Sequence, residues 1–523
     1  MTTPATRDEA LDKGTGATGR SAKKWLALVA ISASVLVVGL DLTVLNLALP
    51  SMAVSLHATT GDLQWISDAY SLVIAAAILP AGLLGDRYGR KKLLIVALVI
   101  FGASSAACSY AGGTGELIAA RAVLGIGAAA IFPLSISVIP VLFEPADRQK
   151  AIALLSACTM LSFPIGPILG GYLLDHFWWG SVFLINVPVV VLAVVAVAFL
   201  MPESRSSTRP RVDLIGVLVS SAGLIALTYG FIKAGESGWG DATALGTIAG
   251  GVVLLALFVR WERRLTGAGE GGTQPLVELA LFASNGFRWG TILVTMVSFA
   301  MFGLMFAMPQ YFQEVLGANA LGSGVRLLPL VGGMMVGMIA GTRLQSPRGG
   351  RGPLAGAKTV VSAGYLIMAA AMVLGALTTL SSTTGYAAAW IAVAGLGLGF
   401  AMPSAMNVAI GALTAERSGS GSALLSAMRQ VGATIGVAIL GTLISNGYSA
   451  GVNVHGLPAA VAAAAKSSVA GGVSVAEKLH AAALLGSVRT AYIDGMDVML
   501  WVCGGIAVVS ALLAIAFLRQ SDS

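Results

Sequence analysis

Residues Trp25 to Pro50 read WLALVAISASVLVVGLDLTVLNLALP, a stretch with one charged side chain, Asp41. A helix rises 1.5 Å per residue and a hydrocarbon core is roughly 30 Å thick, so about 20 apolar residues suffice to cross it and this stretch is long enough. The same signal recurs from here almost to the C-terminus. Of 523 residues, 56% are apolar and 11% charged, with a mean hydropathy of +0.86, whereas soluble domains carry charge on roughly a quarter of their residues. Lipid is the main solvent of such a chain. Its backbone must be satisfied internally, which makes an all-α membrane bundle the expected fold.

Apolar runs bounded by charge, Pro or Gly clusters number about fourteen. An even number puts both chain ends on one side. The loop after the second run carries Arg87, Arg90, Lys91 and Lys92, and the loop after the tenth carries Arg343, Arg348, Arg351 and Lys358, while residues 50–61 and 379–385 hold no cation. Both termini are therefore expected in the cytoplasm. The chain divides into a cytoplasmic tail (1–24), six spans (25–205), two inserted spans (206–262), a polar cytoplasmic linker (263–285), six further spans (286–518) and a short tail (519–523). Residues 447–489 form a long external segment, read either as a hairpin over the outer face or as a flexible loop. The basic loop returns in degraded form after the tenth run, and the glycines of the fifth run have counterparts in Gly432, Gly436 and Gly441 of the thirteenth. Repeated halves place a substrate site between them, near the midplane.

Several functions are disfavoured. The net charge of +7 resides in short loops between apolar runs, as a topology signal does, so no nucleic-acid partner is expected. Cys108, Cys158 and Cys503 lie inside spans and are odd in number, which argues against a disulfide framework. His57, His176, His455 and His480 are scattered through external loops without ligand spacing, so no metal is expected. With no phosphate loop, HExxH or Cys/His cluster, an enzyme is disfavoured and no cofactor is expected.

The loop Gly82-Leu83-Leu84-Gly85-Asp86-Arg87-Tyr88-Gly89-Arg90-Lys91-Lys92 packs one acid, turn glycines and four cations between the second and third runs. Its plain reading is a topology signal with a turn. Its order also lets Asp86 sit at a helix N-terminus while the cations hold helix C-terminal carbonyls, contacts suited to a conformational latch. The stretch resembles motif A of the major facilitator superfamily through Gly82, Asp86, Arg87, Gly89 and Arg90. Leu40 to Pro50 resembles the first-span signature of the fourteen-span drug:proton antiporters. Arg121 to Gly127 is similar to motif B, and Gly166-Pro167-Ile168-Leu169-Gly170-Gly171 to the antiporter motif C. Trp65 to Tyr70 and Phe183 to Pro188 look like that family too, and the likeness thins after residue 205, returning at Leu327-Leu328-Pro329 and Arg429-Gln430-Val431-Gly432. Leu124, Ser162 and Gly180 depart from the family pattern, and none of them removes an acid.

The resemblance implies a major facilitator fold of two six-helix bundles plus two inserted helices. It further implies a monomeric exporter in the bacterial inner membrane that exchanges protons for lipophilic or cationic compounds by alternating access, driven by the proton gradient. Within that frame Asp41 is the first proton-coupling candidate. An acid this deep costs roughly 2.5–3.5 kcal/mol to insert and normally faces the bundle interior. Its alternative is a structural acid bonded to Thr43 or Asn46. Arg121 either snorkels outward or, with Gly125 and Gly127 nearby, approaches the first span, and the resemblance makes it Asp41's partner. Asp68 is either a proton or cation site or an acid stabilised by the N-terminus of the second span. Gly166, Pro167, Gly170 and Gly171 serve either as a seal or as ordinary packing. Asn46, Trp65, Phe132, Met160, Phe163, Phe302, Met305 and Phe306 are candidate cavity residues, because Met beside aromatics suits varied apolar ligands. Glu314, Arg429 and Asp494 stay unassigned. A narrow exporter of one antibiotic, siderophore or amino acid, and a transporter-like sensor, are the rival functions.

Overall fold

Helix follows helix along the described chain, as a lipid-solvated backbone requires. The computed structural model describes residues 7–204, 213–266, 275–346, 355–413 and 418–518. The tail 519–523, part of each linker, and Arg348 and Arg351 lie outside them, as do the side chains of residues 7–23 and of Asp86. In chain order the helices are α1 (Arg7–Ser55), α2 (Thr60–Tyr88), α3 (Arg90–Ser109), α4 (Thr114–Leu142), α5 (Pro145–His176), α6 (Ser181–Leu184), α7 (Asn186–Leu200), α8 (Leu214–Ser237) and α9 (Ala242–Thr266). They continue as α10 (Asn285–Gln310), α11 (Ala320–Gln345), α12 (Ala357–Ala376), α13 (Thr384–Gly411), α14 (Ser418–Gly451), α15 (Ala459–Ser467), α16 (Val469–Lys478) and α17 (Ala482–Phe517). Among the described residues 14 helical segments are long and apolar enough to cross a membrane, with α6 and α7 forming one of them.

Two boundaries differ from the hydropathy reading. The first helix begins at Arg7 instead of ending in a tail at residue 24, because the polar Gly/Ala/Thr-rich stretch carries helical backbone into the span. Gly82 and Gly85 are helical, since α2 runs through to Tyr88, and the turn falls on Gly89 alone at φ 114°. Only a residue without a Cβ adopts that conformation freely. Residues 459–478 form the short helices α15 and α16, which pack on both halves: Ala470 joins the core of the first half and Val469, Val473 and Ala476 that of the second.

Each half has its own apolar core, and each lends residues to the other: Leu47 of α1 sits in the second core, Phe306 of α10 and Val437 of α14 in the first. The glycines of the sequence repeat do the same task twice. A Cβ at Gly166 or Gly170 would run into Thr43 or Val44 of α1, the first span of its own half, and one at Gly171 into Leu321 of α11, the second span of the other half. Gly432 and Gly436 face Thr295 and Phe299 of α10, again the first span of their own half, and Gly441 faces Gln64 of α2, the second span of the other. Backbones approach this closely because dispersion at short range, not hydrophobic burial, holds helices together in lipid.

The inserted hairpin α8–α9 lies along the seam where α2 meets α14. Leu224 of α8 packs with Leu72 and Ala75 of α2 and beside Val431 of α14, and Thr442 Oγ1 donates to Phe231 O at 2.9 Å.

A Cβ at Gly436 would lie 2.8 Å from the Cα of Phe299, whereas one at Gly82 would meet nothing within 4 Å. Gly436→Ala is expected to lower stability by about 1–3 kcal/mol through overpacking. Gly82→Ala is expected to leave the thermal unfolding midpoint of the purified protein unchanged, although both positions are helical glycines.

Candidate functional site

The first span carries a carboxylate into the bundle because Asp41 stands among buried neighbours, Leu40, Thr43 and Val44. Arg121 Nη1 of α4 meets its Oδ2 at 2.5 Å, and both side chains are 1% exposed. Arg121 Nε donates to Ile66 O of α2 at 3.1 Å, and the guanidinium lies over the Tyr70 ring, 4.3 Å from its centroid. Phe183 of α6 closes the far side at 5.8 Å. Ser105 of α3 donates to Phe183 O at 2.8 Å and accepts from Asn186 Nδ2 at 3.1 Å, which holds that short helix in place. A guanidinium in a low dielectric gains from both its carboxylate and the ring face. Four helices thus converge on one ion pair.

Thr43 and Asn46 do not tie down Asp41, because Thr43 Oγ1 donates to Leu40 O at 3.0 Å and Asn46 Nδ2 to Leu42 O at 3.1 Å. Gly125 and Gly127 bring α4 against α2 and α3 and not against α1, so the long reach of Arg121 itself bridges to the first span.

Asp68 is wholly buried, and among the described residues neither of its carboxylate oxygens has a hydrogen-bond partner. The helix N-terminus that would explain an acid here is served by Asp62, in a reciprocal capping box with Thr59. Asp68 lies about 9 Å further along at 1.5 Å per residue. One turn before it on the same face, Gln64 Nε2 donates to Val437 O at 3.1 Å and to Ala438 O at 2.9 Å. That register turns Asp68 toward α14, where Thr434, one turn from Val437, also has a buried hydroxyl without a partner. Orphaned buried groups of this kind demand a functional or structural explanation.

The motif A region is anchored by a residue the motif does not contain. Glu203, just past α7, accepts from the backbone N–H groups of Lys91 and Lys92 at 3.2 Å each, the first turn of α3. Lys91 Nζ donates to Ala198 O in the last turn of α7 at 2.6 Å. An acid at a helix N-terminus and a cation at a helix C-terminus are both present, with Glu203 as the acid. Arg87 lies in the last turn of α2 and Arg90 opens α3, on either side of Gly89, and the side chain of Asp86 lies outside the described residues.

At the face opposite the basic loops the halves are fastened together. Asp175, at the end of α5, accepts from Asn319 Nδ2 at 2.6 Å, Ala320 N at 3.0 Å and Leu321 N at 3.3 Å, the N-terminus of α11. Gln313 Nε2 donates to Leu47 O at 2.9 Å and Thr60 Oγ1 to Ser467 O at 3.1 Å. With Gln64 on α14, these bonds close that face. A sequence signal existed for Asp175, an acid ending the span that carries Gly166 to Gly171, but its partner lies 145 residues away at Ala320.

The sequence model of the Major Facilitator Superfamily matches residues 31–357, from α1 to the first residue of α12. The chain belongs to the Major Facilitator Superfamily. It is 33% identical to the tetracenomycin C resistance and export protein of Streptomyces glaucescens, over 97% of this chain and 94% of that one. It is 32% identical to the multidrug efflux pump LfrA of Mycolicibacterium smegmatis (96% and 97% covered) and 31% identical to the methyl viologen resistance protein SmvA of Salmonella typhimurium (94% and 97% covered). Among solved structures, a bacterial homologue of the human lysosomal transporter Spinster superposes with a TM-score of 0.66 at 16% identity, covering 96% of this chain and 99% of that one. A D-xylose–proton symporter gives 0.59 at 14% identity, covering 95% and 98%. These structural likenesses speak of the fold. Membership makes the chain a multi-pass membrane transporter and not an enzyme.

Within the superfamily fold the candidate cavity residues separate into groups. Phe163 of α5 packs against the second core, and Phe302 and Phe306 of α10 against the first, so these three gather at the junction of the halves. Phe306 is wholly buried there. Asn46 is buried with its Oδ1 unpartnered. Trp65 instead faces the insert, its ring 6.4 Å from that of Tyr229 on α8. Phe132 packs into the first core, Met305 belongs to the second, and Met160 is 47% exposed on α5. Trp65 is therefore turned from the junction toward the insert, because helix rotation sets the direction of each side chain and hydropathy does not record it.

An arginine keeps its proton, whereas a carboxyl group left alone takes one up. Asp41→Asn is therefore expected to cost about 3–5 kcal/mol, the penalty of an uncompensated buried charge, and Arg121→Gln distinctly less, as read by thermal unfolding in detergent. Asp175→Asn removes the anion from the α11 N-terminus, worth about 0.3–1 kcal/mol. A cysteine introduced by Leu47→Cys should then react several-fold faster with an impermeant maleimide added from that face.

Proposed function

We propose that this superfamily member is a proton-coupled antiporter that expels lipophilic or cationic organic compounds by alternating access. The observation that carries the reading is the contrast between two buried carboxyl groups of the first half, Asp41 paired with Arg121 and Asp68 without a partner. Asp68 supplies a place for a proton or a cationic substrate, and Asp41 a proton site whose occupation frees Arg121 to change partner. Each exchange of occupant alters the fit of α1, α2 and α4, the kind of local charge event that biases a two-state molecule. The relatives named for export of tetracenomycin C, for multidrug efflux and for methyl viologen resistance support outward transport of organic compounds.

In this reading the basic face lies in the cytoplasm of a bacterial inner membrane together with both chain ends, as cation-rich short loops favour. The face closed by Asp175, Gln64 and Gln313 is then the external one, and the substrate enters from the cytoplasm or inner leaflet. The transporter works as a monomer in contact with membrane lipids and needs no cofactor beyond the proton gradient. One proton exchanged for one monocation moves no net charge, so each pH unit supplies about 1.4 kcal/mol, and any further proton adds roughly 2.3 kcal/mol per 100 mV. A narrow specificity is the second reading, favoured by the relative named for one antibiotic. Resistance conferred against several unrelated dyes and biocides would exclude it.

The test is cargo transport by inverted vesicles carrying the wild type, Asp41→Asn or Asp68→Asn. Wild-type vesicles are expected to release protons when a monocationic dye is added, and both variants to lose that release while Asp68→Asn also weakens dye binding. Gradient-driven dye uptake of normal extent by Asp41→Asn would refute the coupling scheme.

A further inference from the structure

We propose that the end of α9 on the basic face binds the phosphate group of an anionic phospholipid. Arg260, Arg263 and Arg264 line an open surface hollow of about 570 Å³ together with Ala256 and Val259. Spacings of three and four residues put the three guanidinium groups on one side of the helix, within one turn of each other. All three are exposed, and among the described residues none of them forms an ion pair. Glu262, the acid nearest in sequence, is buried on the other side, where it accepts from Val277 N at 3.2 Å. Three like charges in one turn repel. The helix C-terminus relieves part of that repulsion, since its carbonyls attract cations. An anion seated among the guanidinium groups relieves the rest with charge-assisted, bidentate bonds.

The source of that anion follows from the wall above it. Val252, Val253 and Leu257, at 55, 56 and 51% exposure, run along the same side of α9 toward the bilayer centre. A cationic bowl under an exposed apolar wall fits a molecule with a phosphodiester at one end and acyl chains at the other. A soluble phosphate would use the bowl alone. Cation-rich pockets at this level of a bundle recognise anionic headgroups, at roughly fivefold in affinity for each basic residue. The inference does not depend on the transport reading.

The test uses the purified full-length chain and native mass spectrometry with phosphatidylglycerol, cardiolipin or phosphatidylcholine, and separately with inorganic phosphate as competitor. The wild type is expected to hold the two anionic lipids at least tenfold more tightly than phosphatidylcholine. The triple variant Arg260→Gln/Arg263→Gln/Arg264→Gln should lose that preference, the triple Arg→Lys variant should keep most of it, and Arg343→Gln/Lys358→Gln, elsewhere on the same face, should retain it in full. Photoactivatable phosphatidylglycerol added to the wild type should label α9, a readout that needs no variant to fold. Equal lipid preference in the triple glutamine variant, or labelling that avoids α9, overturns the proposal. Displacement of the lipid by millimolar phosphate would make the site one for a soluble anion and overturn the lipid assignment.

Discussion

A carboxylate and a guanidinium that face each other inside a bilayer have nowhere else to go. Taken singly, Asp41 or Arg121 would be an uncompensated charge in a medium that cannot hydrate it. Paired, they gather α1, α2, α4 and α6 around one point: Asp41 from α1, the Ile66 carbonyl and Tyr70 ring from α2, Arg121 from α4 and Phe183 from α6. The box has little slack, since Asn186 and Ser105 fix the backbone of α6 behind Phe183. A change in the charge of Asp41 therefore acts on the packing of the whole first half.

The second constraint is distance of approach. In lipid, helices gain little from excluding apolar surface, so they must touch closely to hold. The glycines of α5 and α14 meet that need twice in the same pattern, two against the first span of their own half and one against the second span of the other. The interface between halves is consequently built from duplicated parts. It is not symmetric in its polar contacts: Asp175 grips the N-terminus of α11, whereas Gln64 of α2 bonds carbonyls within α14. The hairpin α8–α9 adds a further asymmetry by covering only the α2–α14 seam.

Hydropathy was enough for the membrane class and the number of spans, because both depend on transfer free energies that act residue by residue, whereas the two six-helix halves with two inserted helices came from the internal repeat and the resemblance. Asp41 and Arg121 were legible as partners through the resemblance, and Asp68 was legible as an anomaly because intramembrane acids are costly. Glu203 and Gln64 were not legible, and of Asp175 only its place at the end of a span was, not its partner. Each is an ordinary polar residue near a span end, and each acts on a helix terminus or carbonyl more than a hundred residues away in the chain.

The sequence by itself determined that the chain crosses a membrane many times as helices, since apolar runs and basic loops interact with lipid and the translocation machinery locally. Tertiary structure alone decided which face of each helix meets which neighbour. It turned Trp65 toward the insert, wedged Phe306 into the opposite half, left Asp68 without a partner among the described residues and set Glu203 on the first turn of α3. The physical reason is that hydropathy is nearly uniform around a membrane helix, so its rotation is set by packing against distant segments and not by its own composition.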